Sequence, residues 1–147
     1  MGFPDLDTTS KRKVLQGNDL LAVTLRLIEA CEELSIPWAL ENPFTSRIWL
    51  TPPLQHHMHH GASFLRRDFC AFGTAWRKST GILSKRLPQL TGLAISCDAK
   101  NGRCQFSGKQ HIILQGKDAT GCWLTRRAQP YPFKLCHQIA SLLARTM

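Results

Sequence analysis

The sequence predicts an α/β fold, and three observations predict it. Apolar side chains recur at helical spacing from Leu20 to about Leu34, a Ser35-Ile36-Pro37 break follows, and the short apolar run Trp38-Ala39-Leu40 comes directly after. A helix, a tight break and a buried strand in that order make half of an α/β unit. Composition allows one such domain. The 147 residues are 43% hydrophobic and 20% charged, which describes a globular chain with a modest core rather than a disordered one.

Taken in order, residues 1–16 are polar, with a basic cluster at Lys11, Arg12 and Lys13, and read as a flexible basic arm ahead of a domain over 17–147. Gly17-Asn18-Asp19 offers helix-start chemistry with Asn18 as the cap. Leu21, Leu25, Ile28 and Cys31 then share one helix face. Pro43 ends the first strand, and Thr45-Ser46 caps a short turn carrying Ile48 and Trp49. Pro52-Pro53 punctuates again before a His-rich segment. Further strands are expected over 63–70, over Gly81-Ile82-Leu83, over 93–97 and over 111–114. The stretch CDAKNGRCQFSGKQ is dense in turn formers and reads as a loop. Pro130-Tyr131-Pro132 opens a last helix running to about Arg145, with Leu135, Ile139, Leu142 and Leu143 on one face.

Charge narrows the class of partner. Lys and Arg number 19 against 10 Asp and Glu, a net +9, which favours a polyanion and nucleic acid first. A basic protein with no such partner is the plainer alternative. No apolar run approaches the roughly 20 residues that span a bilayer, so no membrane association is expected. The N-terminal MGFPDLDTTSKRK has no apolar signal core, so the expected location is intracellular, in cytoplasm or nucleus. Cys31, Cys70, Cys97, Cys104, Cys122 and Cys136 are then expected as reduced thiols.

Two segments carry candidate chemistry. Glu41-Asn42-Pro43 follows the first strand, and in open α/β sheets ligands sit beyond the strands' carboxyl ends. A carboxylate there accepts from an amino group and, when protonated, donates to a ring nitrogen, which matches the edge of cytosine. The plainer role for Glu41 is a strand-end ion pair, with Asn42 as a turn residue. The second segment is Phe72-Gly73-Thr74-Ala75-Trp76-Arg77-Lys78-Ser79-Thr80. Adjacent cations, a hydroxyl and a Trp beside a glycine suit phosphate and base contact, with Arg66-Arg67 and Lys85-Arg86 extending the basic character. The plainer role is a solvated loop with one packed Trp.

Metal patterns are weaker. His56 and His60 would share a helix face, but two imidazoles fall short of four ligands. Cys97, Cys104 and His111 form C-x6-C-x6-H, which departs from the two-to-four spacing of most zinc ligand pairs. A knuckle from these three with Cys122 is the weak alternative to no metal at all. No G-x-G-x-x-G, P-loop, G-x-S-x-G or Pro-Cys dipeptide occurs.

The order of short motifs resembles the C-terminal half of DNA (cytosine-5) methyltransferase-like proteins of the phage and mobile-element type. Gly17-Asn18 precedes a long helix, Glu41-Asn42-Pro43 is followed by Ser46 and Trp49, Cys70-x-Phe72-Gly73 leads into Trp76-Arg77-Lys78-x-Thr80, and Tyr131-Pro132 opens the last helix. The resemblance implies a partial Rossmann-like sheet with flanking helices, incomplete on its N-terminal side. It implies that Glu41 grips a flipped cytosine, that Asn42 shapes the loop, and that Trp76, Arg77, Lys78 and Thr80 lie near the DNA backbone, where Arg66 and Arg67 join them as DNA-binding candidates by their charge. The family's S-adenosylmethionine loop and Pro-Cys nucleophile are not here. The implied protein is a DNA-binding part without cofactor of its own, inactive alone and completed by a missing N-terminal half or a partner chain. The alternative is a non-catalytic nucleic-acid-binding module of a mobile element.

Overall fold

Asp7 starts the first helix. Its carboxylate accepts from the Ser10 backbone N–H at 3.0 Å and from the Ser10 hydroxyl at 2.6 Å, satisfying a donor that a helix start leaves free. From there α1 runs over Thr8–Glu33. It begins well before Asn18, so the expected cap lies inside the helix and Thr8–Gln16, expected as an extended arm, form its first turns. Gly17 is a single weak point of roughly 1 kcal/mol, which a helix of 26 residues absorbs. Leu21, Leu25, Ile28 and Cys31 are sheltered as the spacing requires, with Ile28 buried. Ser35, in left-handed backbone at φ 56°, and Pro37 end the element. The Trp38 indole donates to Glu32 at 2.5 Å.

In the computed structural model, which describes residues 5–144, the chain divides into two compact units, Met1–Trp38 and Ala39–Met147. The architecture is mixed α/β. Strands β1 (Trp38–Pro43), β2 (Ser63–Asp68) and β3 (Ser79–Lys85) form one sheet in the order β1-β3-β2. The sheet is antiparallel, with β2 and β3 in register from Ser63 opposite Ser84 to Asp68 opposite Ser79. The expected Rossmann-like arrangement needs parallel strands joined by crossover helices. Here a 3₁₀ turn at Phe69–Phe72 and a short loop join β2 to β3, so the chain returns as a hairpin. Gly73 makes the reversal at φ 92°, a conformation that favours glycine.

One layer of aromatic rings covers the sheet. Phe64 stacks on Phe44 at 5.7 Å and meets Trp49 at 4.8 Å between centroids. Trp49 rides on the turn Arg47–Leu50, capped by Ser46 as expected, and its indole donates to the Pro43 carbonyl at 2.9 Å. Helix α2 (Pro52–His59) follows, with Leu54 buried. Helix α3 (Phe133–Leu143) inserts Leu135 between Phe69 and Phe72, with Ala71 and Ile139 packed alongside. Its expected end at Arg145 and the arm residues 1–4 lie outside the described residues.

Two expected strands are not formed. Residues 88–93 are a 3₁₀ turn, and only Ile95 bridges to Arg67, parallel, with the Asp68 N–H donating to the Ile95 carbonyl at 3.0 Å. Residues 111–114 are irregular, tied by the Ile112 N–H to the Ala75 carbonyl at 2.8 Å. Among the described residues no helix is long and apolar enough to cross a membrane.

Candidate nucleic-acid site and thiol–imidazole cluster

Strand β1 delivers Glu41 to a place where three distant segments meet. The Tyr131 hydroxyl donates to Glu41 Oε2 at 2.5 Å, while Glu41 Oε1 is buried without a hydrogen-bond partner. The Lys78 ammonium stands 4.7 Å from the Phe69 ring centre and 5.5 Å from that of Tyr131, and it donates to the Ala128 carbonyl at 3.4 Å. Partial burial and the Glu41 carboxylate push the Tyr131 hydroxyl up to about 12, so it stays protonated as the donor. Asn42 is next along β1 and projects to the opposite side of the strand, away from Glu41. Among the described residues no cation pairs with Glu41, which is half-buried.

The other expected contact residues separate by burial. Arg67 and Thr80 are wholly enclosed, so neither side chain lies on the surface where the sequence places a DNA contact. Arg67 donates from Nη2 to the Leu90 carbonyl at 2.8 Å, and burial brings its guanidinium down to about 10. Arg66 and Arg77 sit at the surface but are drawn to one buried carboxylate, Asp68. Arg77 Nε donates to Asp68 Oδ2 at 3.0 Å, and Arg66 Nη2 lies 3.5 Å from the same oxygen and 3.1 Å from Ser79 Oγ. The Ser79 hydroxyl and the Cys97 backbone N–H also donate to Asp68. Burial opposes ionisation of Asp68, but the bonds from Ser79, Cys97 and Arg77 outweigh it and hold the carboxyl below its usual range. Trp76 is half-buried with its indole N–H unpartnered. The sequence reading passed over Asp68, although an acid inside an arginine-rich strand was the available signal.

A second group was seen only in part. Cys70, Cys97, Cys104 and His111 place one ligand atom each within 4.8 Å of one another. Cys70 comes from the turn after β2, Cys97 from the segment paired beside β2, and Cys104 and His111 from the loop beyond. In this group Cys70 stands where the weaker knuckle alternative had Cys122, which is exposed. Burial, then the neighbouring Cys104 and Cys97, push the Cys70 thiol up. Burial opposes ionisation of Cys104 as well, but donors from Ser107, the Phe106 and Ser107 backbone and His111 bring it down to about 6. The His56 and His60 rings stack at 3.9 Å on α2 and its C-cap, outside this group.

Beyond the thiols the loop surface is basic and aromatic. Arg103, Lys109, Lys117, Arg126 and Arg127 are exposed, as are Phe106 and Trp123. Lys117 Nζ lies 5.1 Å from the Trp123 ring centre, and Arg127 reaches Asp118 at 3.7 Å. Comparisons of the chain with protein-family models, curated proteins and solved structures find no match.

Proposed function

We propose that the chain binds DNA, takes an extruded base at Glu41, and performs no methyl transfer by itself. One observation carries the reading: segments far apart in sequence converge on a carboxylate with a buried, unpartnered oxygen. Glu41, Lys78 and Tyr131 belong to three of the motifs that resemble cytosine methyltransferase-like proteins, and Tyr131 links them: its hydroxyl donates to Glu41 Oε2, and the Lys78 ammonium stands 5.5 Å from its ring centre. Tyr131 orients the carboxylate by holding Oε2, leaving Oε1 to accept from an exocyclic amino group. Lys78 supplies positive charge over the Tyr131 ring that holds Glu41. The reading includes kinship with a Rossmann-like enzyme in which the methyl-donor loop and the Pro-Cys nucleophile would come from another segment or chain. The antiparallel sheet gives that kinship no support, so it rests on motif order alone.

A second reading is a binding module without base recognition, favoured by the exposed Arg103, Phe106, Lys109, Lys117 and Trp123. Cations interleaved with aromatic rings suit backbone tracking and stacking. One binding experiment separates the two. Duplex DNA with a mismatched cytosine, which extrudes readily, is compared with fully paired duplex across a salt series. Base recognition predicts several-fold tighter binding to the mismatch, lost in Glu41→Gln while paired-duplex affinity holds. Backbone binding alone predicts no mismatch preference. Arg103→Ala with Lys109→Ala would then flatten the salt slope by roughly one unit per lost phosphate contact. Absence of salt-sensitive binding to either duplex sinks both readings.

A further inference from the structure

We propose that Cys70, Cys97, Cys104 and His111 bind one structural zinc ion. The inference stands independently of any nucleic-acid role. The buried cluster beneath residues 96–111 consists of Cys70, Cys97 and Cys104, with Ala99 packed against it. Three small thiols and one alanine bury too little apolar surface to order an irregular loop of this length. The loop also holds several residues in left-handed backbone: Ala99 at φ 47°, Asn101 at 53°, Gly102 at 73° and Gly108 at 68°. Outside glycine that conformation is costly. Something stronger than apolar packing must fix it.

The ligand geometry supplies that something. Three sulfurs and one imidazole nitrogen lie within 4.8 Å of one another, with His111 Nε2 at 3.9 Å from Cys97 Sγ. A tetrahedral zinc with bonds near 2.3 Å to sulfur has ligand–ligand edges of roughly 3.7 Å, so a small inward movement closes the site. All three thiols are free and buried. Thiolates and imidazole in a four-ligand set select zinc over hard cations. No ligand position is left over, which makes the site structural rather than catalytic.

The supports around the ligands are built in. The Asp68 carboxylate accepts from the Cys97 N–H at 2.7 Å, and the Asp68 N–H donates to Ile95, so β2 holds the Cys97 backbone. The Cys104 N–H donates to the Lys109 carbonyl and the Gly108 N–H to the Cys104 carbonyl, both at 2.8 Å, closing a tight turn over the Cys104 sulfur. The His111 N–H donates to the Gly102 carbonyl at 3.3 Å, and Arg103 bridges Gln110. These bonds bring together ligands whose sequence spacing fits no common zinc motif.

The test uses the full chain purified under reducing conditions. Metal analysis should find about one zinc per chain, matching one closed four-ligand site. Cobalt replacing zinc should give the intense visible bands of a tetrahedral thiolate complex. Cys122→Ser should keep both signals, and Cys70→Ser should lose the stoichiometric metal. His111→Cys guards against a folding failure, since a fourth thiolate should retain cobalt with a shifted spectrum. Wild-type chain without zinc, and without tetrahedral cobalt bands after reconstitution, overturns the proposal. So does loss of metal in Cys122→Ser but not in Cys70→Ser, or a disulfide among the three buried cysteines in freshly reduced protein.

Discussion

Gly81 shows how a single residue sets the packing of the sheet. A Cβ there would lie 2.9 Å from Phe64 Cε2 and 3.0 Å from Trp49 Cζ2, so the aromatic layer over β3 exists only because position 81 has no side chain. Gly81→Ala should destabilise by about 1–3 kcal/mol, the usual cost of overpacking, read as a lower urea midpoint with an unchanged slope. Asp68 is the second decisive residue. It is fully buried, while Arg66 and Arg77 remain about a third exposed (34% and 31% by side chain). Asp68→Asn leaves both arginines without their anion and should cost about 3 kcal/mol, at the low end for a broken buried pair because the arginines keep some water. The same carboxylate predicts an acid limit. Its folded pKa is depressed below the ordinary 3.8, so its contribution is complete above that value. Below it the unfolded chain takes up the proton first, and stability falls as pH drops toward the folded pKa. Thermal midpoints measured across the acid range should decline below about pH 4 in the wild type and less steeply in Asp68→Asn.

At the level of elements, the positions of α1, α3 and the three strands were legible, and the direction in which the strands pair was not. The stripe through Leu21, Leu25 and Ile28 and that through Leu135 and Ile139 survive because helix periodicity is a local property. The start of α1 was misplaced by eleven residues, since Asp7 with Ser10 makes a cap as good as any at Asn18. Strand direction is not local. Nothing in a run such as SFLRRD tells whether the next strand returns beside it or crosses over. The loop 96–111 depends on tertiary contact most of all, and it yields its own prediction. Chelation of the proposed zinc ion should raise amide exchange in residues 96–111 while β2 and β3 keep their protection, as judged by hydrogen-exchange mass spectrometry. Equal loss of protection throughout would place the ion's effect on the whole domain.

On the scale of the whole molecule, the charge of +9 is distributed by two different rules. Arg66 on β2 and Arg77 just before β3 serve Asp68, while Arg103, Lys109, Lys117, Arg126 and Arg127 face outward near exposed rings. Sequence clustering pointed to the first group for DNA contact, because adjacent arginines look alike whether they are solvated or enclosed. The amino-acid order by itself determined the composition class, the basic balance, the helix faces, and the Ser46 and Gly73 devices that turn the chain. Each of these follows from a residue and its near neighbours. Only the tertiary structure decided that the sheet is a hairpin with β1 added, that Arg67 is interior, that Tyr131 meets Glu41, and that Cys70 joins Cys97, Cys104 and His111. Those outcomes depend on pairings between distant segments, whose energies come from burial and from hydrogen bonds that spacing along the chain does not encode.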